Sequence, residues 1–517
     1  MRAQYKKLSL WLGLSFLLLL VAVEFVLILN LNNGFFVYSL DDAYIHLAMA
    51  ENIRLGHYGV NLNEYSAAAS SIIWPVLLAL LPEWEFFPLL LNIFSALLTL
   101  LAVYRILDLV LKISNFWQRE LLIASFLIIF VLVTNLVGLI FTGMEHSLQV
   151  LVVVWIALGL MINIERAKLV VWLVPLIILA PLARYENLAV SLAAILYLIL
   201  NKYFMPAFLA LLGSLGLVIL FSLFIDSLGL GLVPTSILIK SVVVLNAGVA
   251  FSIFKNLMNN LENVGAQILL LAAVIFVVSS LFVVRWRSAC LLASTACAIL
   301  GHLVFGRHGL MIRYEIYIWS LTLVVACYFS ASLFSRVVAR YGIKGCLSII
   351  VLTSLITMLT ACEYVAELRS VPVASNNIYE QQYQMHRFVA DYYKQPVAVN
   401  DIGYVAYKND QYVLDLWGLA SLETLRLRKA ANGPSWMNDQ VIQKQSKLIM
   451  IYDFWFDYNL PANWKRVATL SLSRDKISSA IGVVSFYVFD PSHETQIVKL
   501  LRDFSQTLPA GVVLKLT

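Results

Sequence analysis

Asp41 and Asp42 open the stretch Asp-Asp-Ala-Tyr-Ile-His, residues 41–46, about ten residues beyond an apolar run that ends at Leu31. Two adjacent carboxylates at the head of an amphipathic segment are costly to place beside lipid. One would take a proton from an acceptor hydroxyl, and the other would orient that acceptor or hold a cation. On a helix Asp42 and His46 are i, i+4 neighbours, so this is the pair that would hold a divalent metal such as Mg or Mn. A plain N-cap competes, because Asp suits a helix start and its dipole. Two acids exceed what a cap requires.

Basic residues that would complement such acids recur in other polar stretches. Lys240 closes the segment Pro234–Lys240, Arg307, His308 and Arg313 form a cluster, and Arg184 stands beside Glu186. Ammonium and guanidinium groups bind phosphate, the first as a point charge and the second as a fork. Ordinary salt bridging and snorkelling lysines are the bland alternatives. Glu145 and His146 begin an apolar run, and the 41–69 stretch carries Tyr44, His46, His57, Tyr58, Asn61, Asn63 and Tyr65. That mixture of aromatic, amide and acid groups suits a sugar or another acceptor, and any interfacial loop also carries it.

These residues must be positioned by a membrane protein. Of 517 residues, 61% are hydrophobic and 13% charged, in repeated apolar runs that no soluble chain of this length shows. The runs lie at about 8–31, 88–111, 121–141, 147–164, 169–183, 187–200, 204–225, 264–284, 288–305, 314–335 and 345–366. They predict about 11 spans, with 70–82 as a partial or re-entrant helix. The short runs 169–183 and 187–200 predict a hairpin whose turn, residues 184–187, sits in a protein-lined cavity, where charge at depth is tolerated. The net charge of +6 falls mostly at span ends and does not point to nucleic acid. The five cysteines all lie in apolar segments without disulfide or zinc spacing.

Arg105, Lys112, Arg119, Arg166, Lys168, Lys202, Arg285, Arg287, Arg336, Arg340 and Lys344 fall between runs. The positive-inside rule puts them, and the N-terminus before an uncleaved first span, in the cytoplasm. Loops 32–69, 142–146, 184–187, 226–263 and 306–313, with everything after about 367, then share the opposite face. Every acid and base singled out above lies on that face, which predicts one composite site. Residues 1–368 are expected to form the transmembrane catalytic domain, with its outer loop at 32–69. Residues 369–517 are expected to form a soluble α/β domain, with strands at Val397–Val399, Tyr412–Leu414 and Leu448–Tyr452, an edge strand at Val483–Phe489 and a closing helix at Thr495–Phe504. Asp401, after the first strand, and Trp417, after the second, lie where α/β domains bind ligands.

An acidic pair in the first outer loop, with a soluble C-terminal domain outside, resembles the GT-C glycosyltransferases, which use polyprenyl-phosphate-linked sugars. Asp41–His46, Ser70-Ser71-Ile72-Ile73-Trp74 and Thr142-Gly143-Met144-Glu145 are similar to the bacterial arabinofuranosyltransferase branch, which includes cell-wall arabinan and type IV pilin-modifying enzymes. Asp401-Ile402-Gly403 and Asp415-Leu416-Trp417-Gly418 resemble its C-terminal region. The Ser-Ser-Ile-Ile-Trp segment lacks the proline usual near that position in many relatives and carries Pro75 after Trp74 instead.

The resemblance implies a hexosyl- or pentosyltransferase that moves a sugar, D-arabinofuranose on the narrower likeness, from a polyprenyl-phosphate donor to a glycan, lipid or pilin-like protein. It makes Asp41 the leading catalytic carboxylate and Asp42 its partner, in a bacterial inner membrane with the C-terminal domain periplasmic. The rival reading, a lipid-linked-sugar transporter or flippase, explains the spans but not a soluble outer region of about 150 residues.

Overall fold

The computed structural model describes residues 7–240, 249–309, 313–431 and 433–517, and leaves out the side chains of residues 240, 249 and 250. Among the described residues, eight helices are long and apolar enough to cross a membrane. The chain is a multi-pass membrane protein. Leu8–Leu31, with 24 residues, is typical of them. At 1.5 Å per residue it reaches about 36 Å, more than a hydrocarbon core of about 30 Å. The 45-residue helix Ile316–Thr360 is bent at Gly342, whose φ of 57° and ψ of −133° only glycine adopts readily, so it supplies two apolar segments. With the shorter apolar helices Leu173–Ala183 and Tyr185–Leu200, eleven apolar segments result, as the runs in the sequence predict.

The two ends of the bundle differ. At one end basic side chains and helix termini tie neighbours together. Glu120 accepts from the amide and hydroxyl of Ser9 at 2.9 and 2.7 Å, the Lys112 amide donates to Ser335, and Arg285 pairs with Glu165 at 3.3 Å. At the other end the backbone is irregular and its polar groups are met by protein. The hairpin turn shows how. Pro181 lies near the end of Leu173–Ala183, Arg184 turns to extended dihedrals, and a short 3-10 turn, Tyr185–Asn187, leads into Leu188–Leu200. Its loose carbonyls are taken up by Ser71 Oγ and the Ile72 amide on Leu182 and by Asn187 Nδ2 on Ala180. A charged turn can therefore be buried without orphaned backbone. The expected partial helix is the seven-residue Ile73–Ala79.

After the helix Cys362–Glu380, which packs on Leu8–Leu31, the chain forms an α/β domain around a six-stranded sheet. The strands are β1 (Val397–Val399), β2 (Val413–Asp415), β3 (Leu448–Ile451), β4 (Lys465–Ser471), β5 (Val483–Val488) and β6 (Val513–Leu516), in the order β2-β1-β3-β5-β4-β6. β2, β1 and β3 are parallel, and β5, β4 and β6 continue the sheet antiparallel. One expectation fails: Val483–Phe489 is no edge. β4 and β6, not foreseen in the sequence, extend the sheet beyond it. The true edge β2 is covered by the outer loop, where the Asn61 amide both donates to Val413 O and accepts from Val413 N at 3.0 Å. A side chain thus stands in for a seventh strand and fixes the domain on the membrane bundle.

Candidate active site

Asp42 begins the helix Asp42–Arg54 and Asp41 precedes it, yet the Asp41 side chain makes no cap bond to that helix. Asp41 Oδ1 instead accepts from the Tyr404 amide at 2.8 Å, at the start of the short helix Gly403–Ala406 in the α/β domain. A Cβ at Gly403 would collide with the Asp41 carbonyl and carboxylate, so this approach requires glycine. The other side of Asp41 faces Asp401, which is half-buried and accepts from Gln382 Nε2 at 2.8 Å and Tyr452 OH at 3.4 Å. Burial, and then the Asp401 charge, holds the Asp41 carboxyl well above the usual aspartate range. Asp401 is raised too, by burial and then by the charge of Asp42. Both carboxyl groups therefore hold a proton more strongly than a solvated aspartate does.

Asp42 is the more exposed of the adjacent acids and turns the other way. Its Oδ2 lies 3.0 Å from Arg313 Nη2. Arg313 is buried, lies 5.0 Å over the Tyr314 ring, and shares Nη2 with the Tyr314 hydroxyl at 3.3 Å. Its Nε and Nη1 are buried without a partner among the described residues. Buried guanidinium donors left open in this way suit an anion.

Beside this pair stands a second network. Glu145, fully buried, accepts from Ser70 Oγ at 2.8 Å and Arg184 Nη1 at 2.6 Å through Oε1, and its Oε2 faces His46 Nε2 at 3.4 Å. Arg184 is also bidentate to Glu186, at 3.2 and 2.8 Å, and its Nη1 reaches His146 Nε2 at 3.3 Å. Tyr314 lies between the two guanidinium groups, with Arg184 at 5.4 Å from its ring.

A cavity of about 660 Å³ opens against Ser70, Arg184, Glu186 and Tyr314 of this network. One wall is apolar, from Leu188–Leu200 and Trp286–Phe305, and includes the exposed Leu192 and Phe305. Polar residues complete the lining: Ser70, Arg184, Glu186, His302, Arg307 and Tyr314. Arg307 is thus one of the cavity-lining residues. Lys240 ends the helix Thr235–Lys240, and its side chain lies outside the described residues. His308 faces Glu315 at 3.6 Å, where burial lowers the histidine to about 4 and raises Glu315 to about 8. His308 is therefore neutral at pH 7 and offers a hydrogen bond rather than a charge.

Tyr44 packs its ring 3.8 Å from that of Tyr404 and accepts from the Tyr38 amide, which joins the outer loop to the α/β domain. Trp417 lies under the Arg428 guanidinium at 3.6 Å and beside Trp455, and no hydrogen bond among the described residues joins it to the Asp41 cluster. Asp42 pairs with Arg313, whereas His46 Nε2 lies against Ser70 Oγ and Glu145 Oε2. Among the described residues no three His, Cys, Asp or Glu are grouped to hold a metal ion. Sequence reasoning missed His302, whose Nδ1 meets Tyr317 OH at 2.9 Å on the cavity wall and whose Nε2 has no hydrogen-bond partner among the described residues. A histidine inside an apolar run is itself a signal of function or burial. Gln382 and Tyr452, which hold Asp401, carried no such signal.

A sequence family described only as a domain of unknown function (DUF8728) matches residues 376–488. No curated protein matches the chain. Among solved structures, the Archaeoglobus fulgidus oligosaccharyltransferase tethered to an acceptor peptide is similar with a TM-score of 0.46 and 10% identity, over 99% of this chain and 76% of that one. Its apo form scores 0.45 at 10% identity over 96% and 76%. The archaeal oligosaccharyltransferase AglB from the same organism, with an inhibitory peptide and a dolichol-phosphate, scores 0.39 at 9% identity over 96% and 75%.

Proposed function

We propose that this chain is a membrane glycosyltransferase that takes a sugar from a polyprenyl-phosphate donor. The observation that carries the reading is the cavity, whose lining joins apolar helix residues to Arg184, Arg307, His302 and Tyr314, with the Asp42–Arg313 pair next to it through Tyr314. A donor with an isoprenoid tail and a phosphate needs both kinds of lining. The tail would lie along Leu192 and Phe305, and the phosphate would reach past Tyr314 to the open Nε and Nη1 of Arg313, with Arg307 among the cavity-lining residues.

The acceptor hydroxyl oxygen forms a bond to the anomeric carbon as the bond from that carbon to the phosphate oxygen breaks. The electron pair leaves on the phosphate, where Arg313 offsets the developing charge. The hydroxyl proton passes to Asp42, the less buried acid, which Arg313 holds in place. Asp41, occupied by Asp401 and the Tyr404 amide, sets the position of Asp42 and seats the α/β domain over the acceptor. D-arabinofuranose is the sugar to try first, with a glycan, lipid or pilin-like acceptor on the periplasmic face of a bacterial inner membrane.

The test is purified protein with synthetic polyprenyl-phosphoryl arabinofuranose, and with glucose and mannose analogues, each with an arabinan oligosaccharide or pilin. Labelled sugar on the acceptor and free polyprenyl phosphate are expected, both lost in Asp42→Asn. Equal turnover by the wild type and Asp42→Asn would remove the assigned base. No donor binding by any of the three would end the reading.

A further inference from the structure

A second recess, of about 260 Å³, lies between the loop Leu230–Val233 and the helix Leu422–Ala430 of the α/β domain. Leu230 stands three residues beyond Ser227, where the apolar membrane helix Phe204–Ser227 ends, so the loop lies at the membrane boundary. Leu232 and Val233 are exposed on it. The loop is clamped rather than loose. Thr235 Oγ1 donates to Leu419 O at 2.6 Å and lies 3.0 Å from Ala67 O, and Ser236 Oγ donates to Ala69 O at 2.8 Å. The recess has an apolar lining, with Leu425 among its residues, and carries two cations, Arg426 and Lys429. Arg428, between them in sequence, is committed to the Trp417 ring. Arg426 and Lys429 are exposed and have no ion pair among the described residues.

We propose that this recess seats an anionic phospholipid. Its phosphate lies between Arg426 and Lys429, and its acyl chains run along Leu232 and Val233 into the bilayer. An apolar slot that opens at the membrane boundary under two uncommitted cations matches a charged head on an apolar body. A free anion would gain nothing from the leucines, and a neutral lipid nothing from the cations. The proposal rests on the membrane course of Phe204–Ser227 and not on the transfer reaction, so each stands or falls alone.

The full-length protein, stripped of lipid in detergent, is titrated with phosphatidylglycerol and with phosphatidylcholine and read by native mass spectrometry. Phosphatidylglycerol should bind the more tightly. The Arg426→Gln/Lys429→Gln variant, changed only at exposed side chains, should weaken it on the order of tenfold and leave phosphatidylcholine unchanged. Leu232→Gln should weaken both lipids. Wild-type binding of phosphatidylglycerol by the double variant would overturn the proposal. So would its displacement by millimolar inorganic phosphate with Leu232→Gln without effect, which would make the recess a site for free anions.

Discussion

Arg184 and Arg313 flank the same tyrosine, Tyr314, at 5.4 and 5.0 Å, yet they are held in opposite ways. Every nitrogen of Arg184 has a partner: Nε and Nη2 bind Glu186, and Nη1 binds Glu145. Arg313 has partners on Nη2 alone among the described residues. A buried charge that is fully answered holds the fold. One that is half answered carries a desolvation cost that an incoming anion relieves. The comparison separates residues that sequence reasoning grouped together as phosphate-binding. Arg184 is fully committed to its carboxylates, while among the described residues Arg313 keeps Nε and Nη1 open beside Asp42.

The sharpest way to break that division is Asp42→Asn. Loss of a general base typically costs 10²–10⁴-fold in rate. Asparagine still accepts from Arg313, so a thermal melt should move little. Arg313→Gln comes next. It removes the donors offered to the phosphate and should raise the donor KM by about ten- to a hundredfold, at about 1.5–3 kcal/mol for bonds to a charged group. Titration of donor binding checks it, and an unchanged KM would place the phosphate elsewhere. Glu145→Gln is the counterpart on the Arg184 side. It takes the charge from a fully buried carboxylate that holds Arg184 and Ser70, and should cost about 1.5–3 kcal/mol of stability. Activity per folded molecule should persist. If Glu145→Gln kept full stability and lost turnover instead, the Arg184 side would belong to the chemistry.

The membrane part of this arrangement is legible in the sequence because its code is local. Apolar runs mark spans, and charges between runs sort by end, so Asp42, Glu145, Arg184 and Arg313 could be placed on one face before any contact was known. The charged turn at Arg184 could be read because charge at membrane depth must line a protein cavity. What escaped depends on long-range pairing. The Asp41 carboxylate is matched to an amide 363 residues away, and no periodicity records that. β4 starts with the exposed Lys465 and Arg466, and β6 alternates half-buried and exposed residues. Both become strands through pairing with a neighbour, and without them β5 reads as an edge.

The smallest expected effect concerns the joint between the two regions compared with each other least directly, the outer loop and the α/β domain. Asp41 and Asp401 meet there with raised proton affinity, from burial first and, at Asp41, next from the Asp401 charge. The separated state releases protons near the ordinary aspartate value of 3.8, while the docked state still holds one. Docking therefore binds protons. Its stability is fully present below that value and falls as pH rises through the raised range. Asp401→Asn keeps an acceptor for Gln382 and Tyr452 and offers Asp41 Oδ2 an amide donor in place of a second acid. The joint should then hold more tightly at neutral pH, and its stability should depend less on pH. Hydrogen exchange at the Tyr404 amide, followed from acid to neutral pH in both proteins, reads the difference. Wild-type protection that rises with pH, or a variant with the same slope, would show that the docked pair holds no such proton.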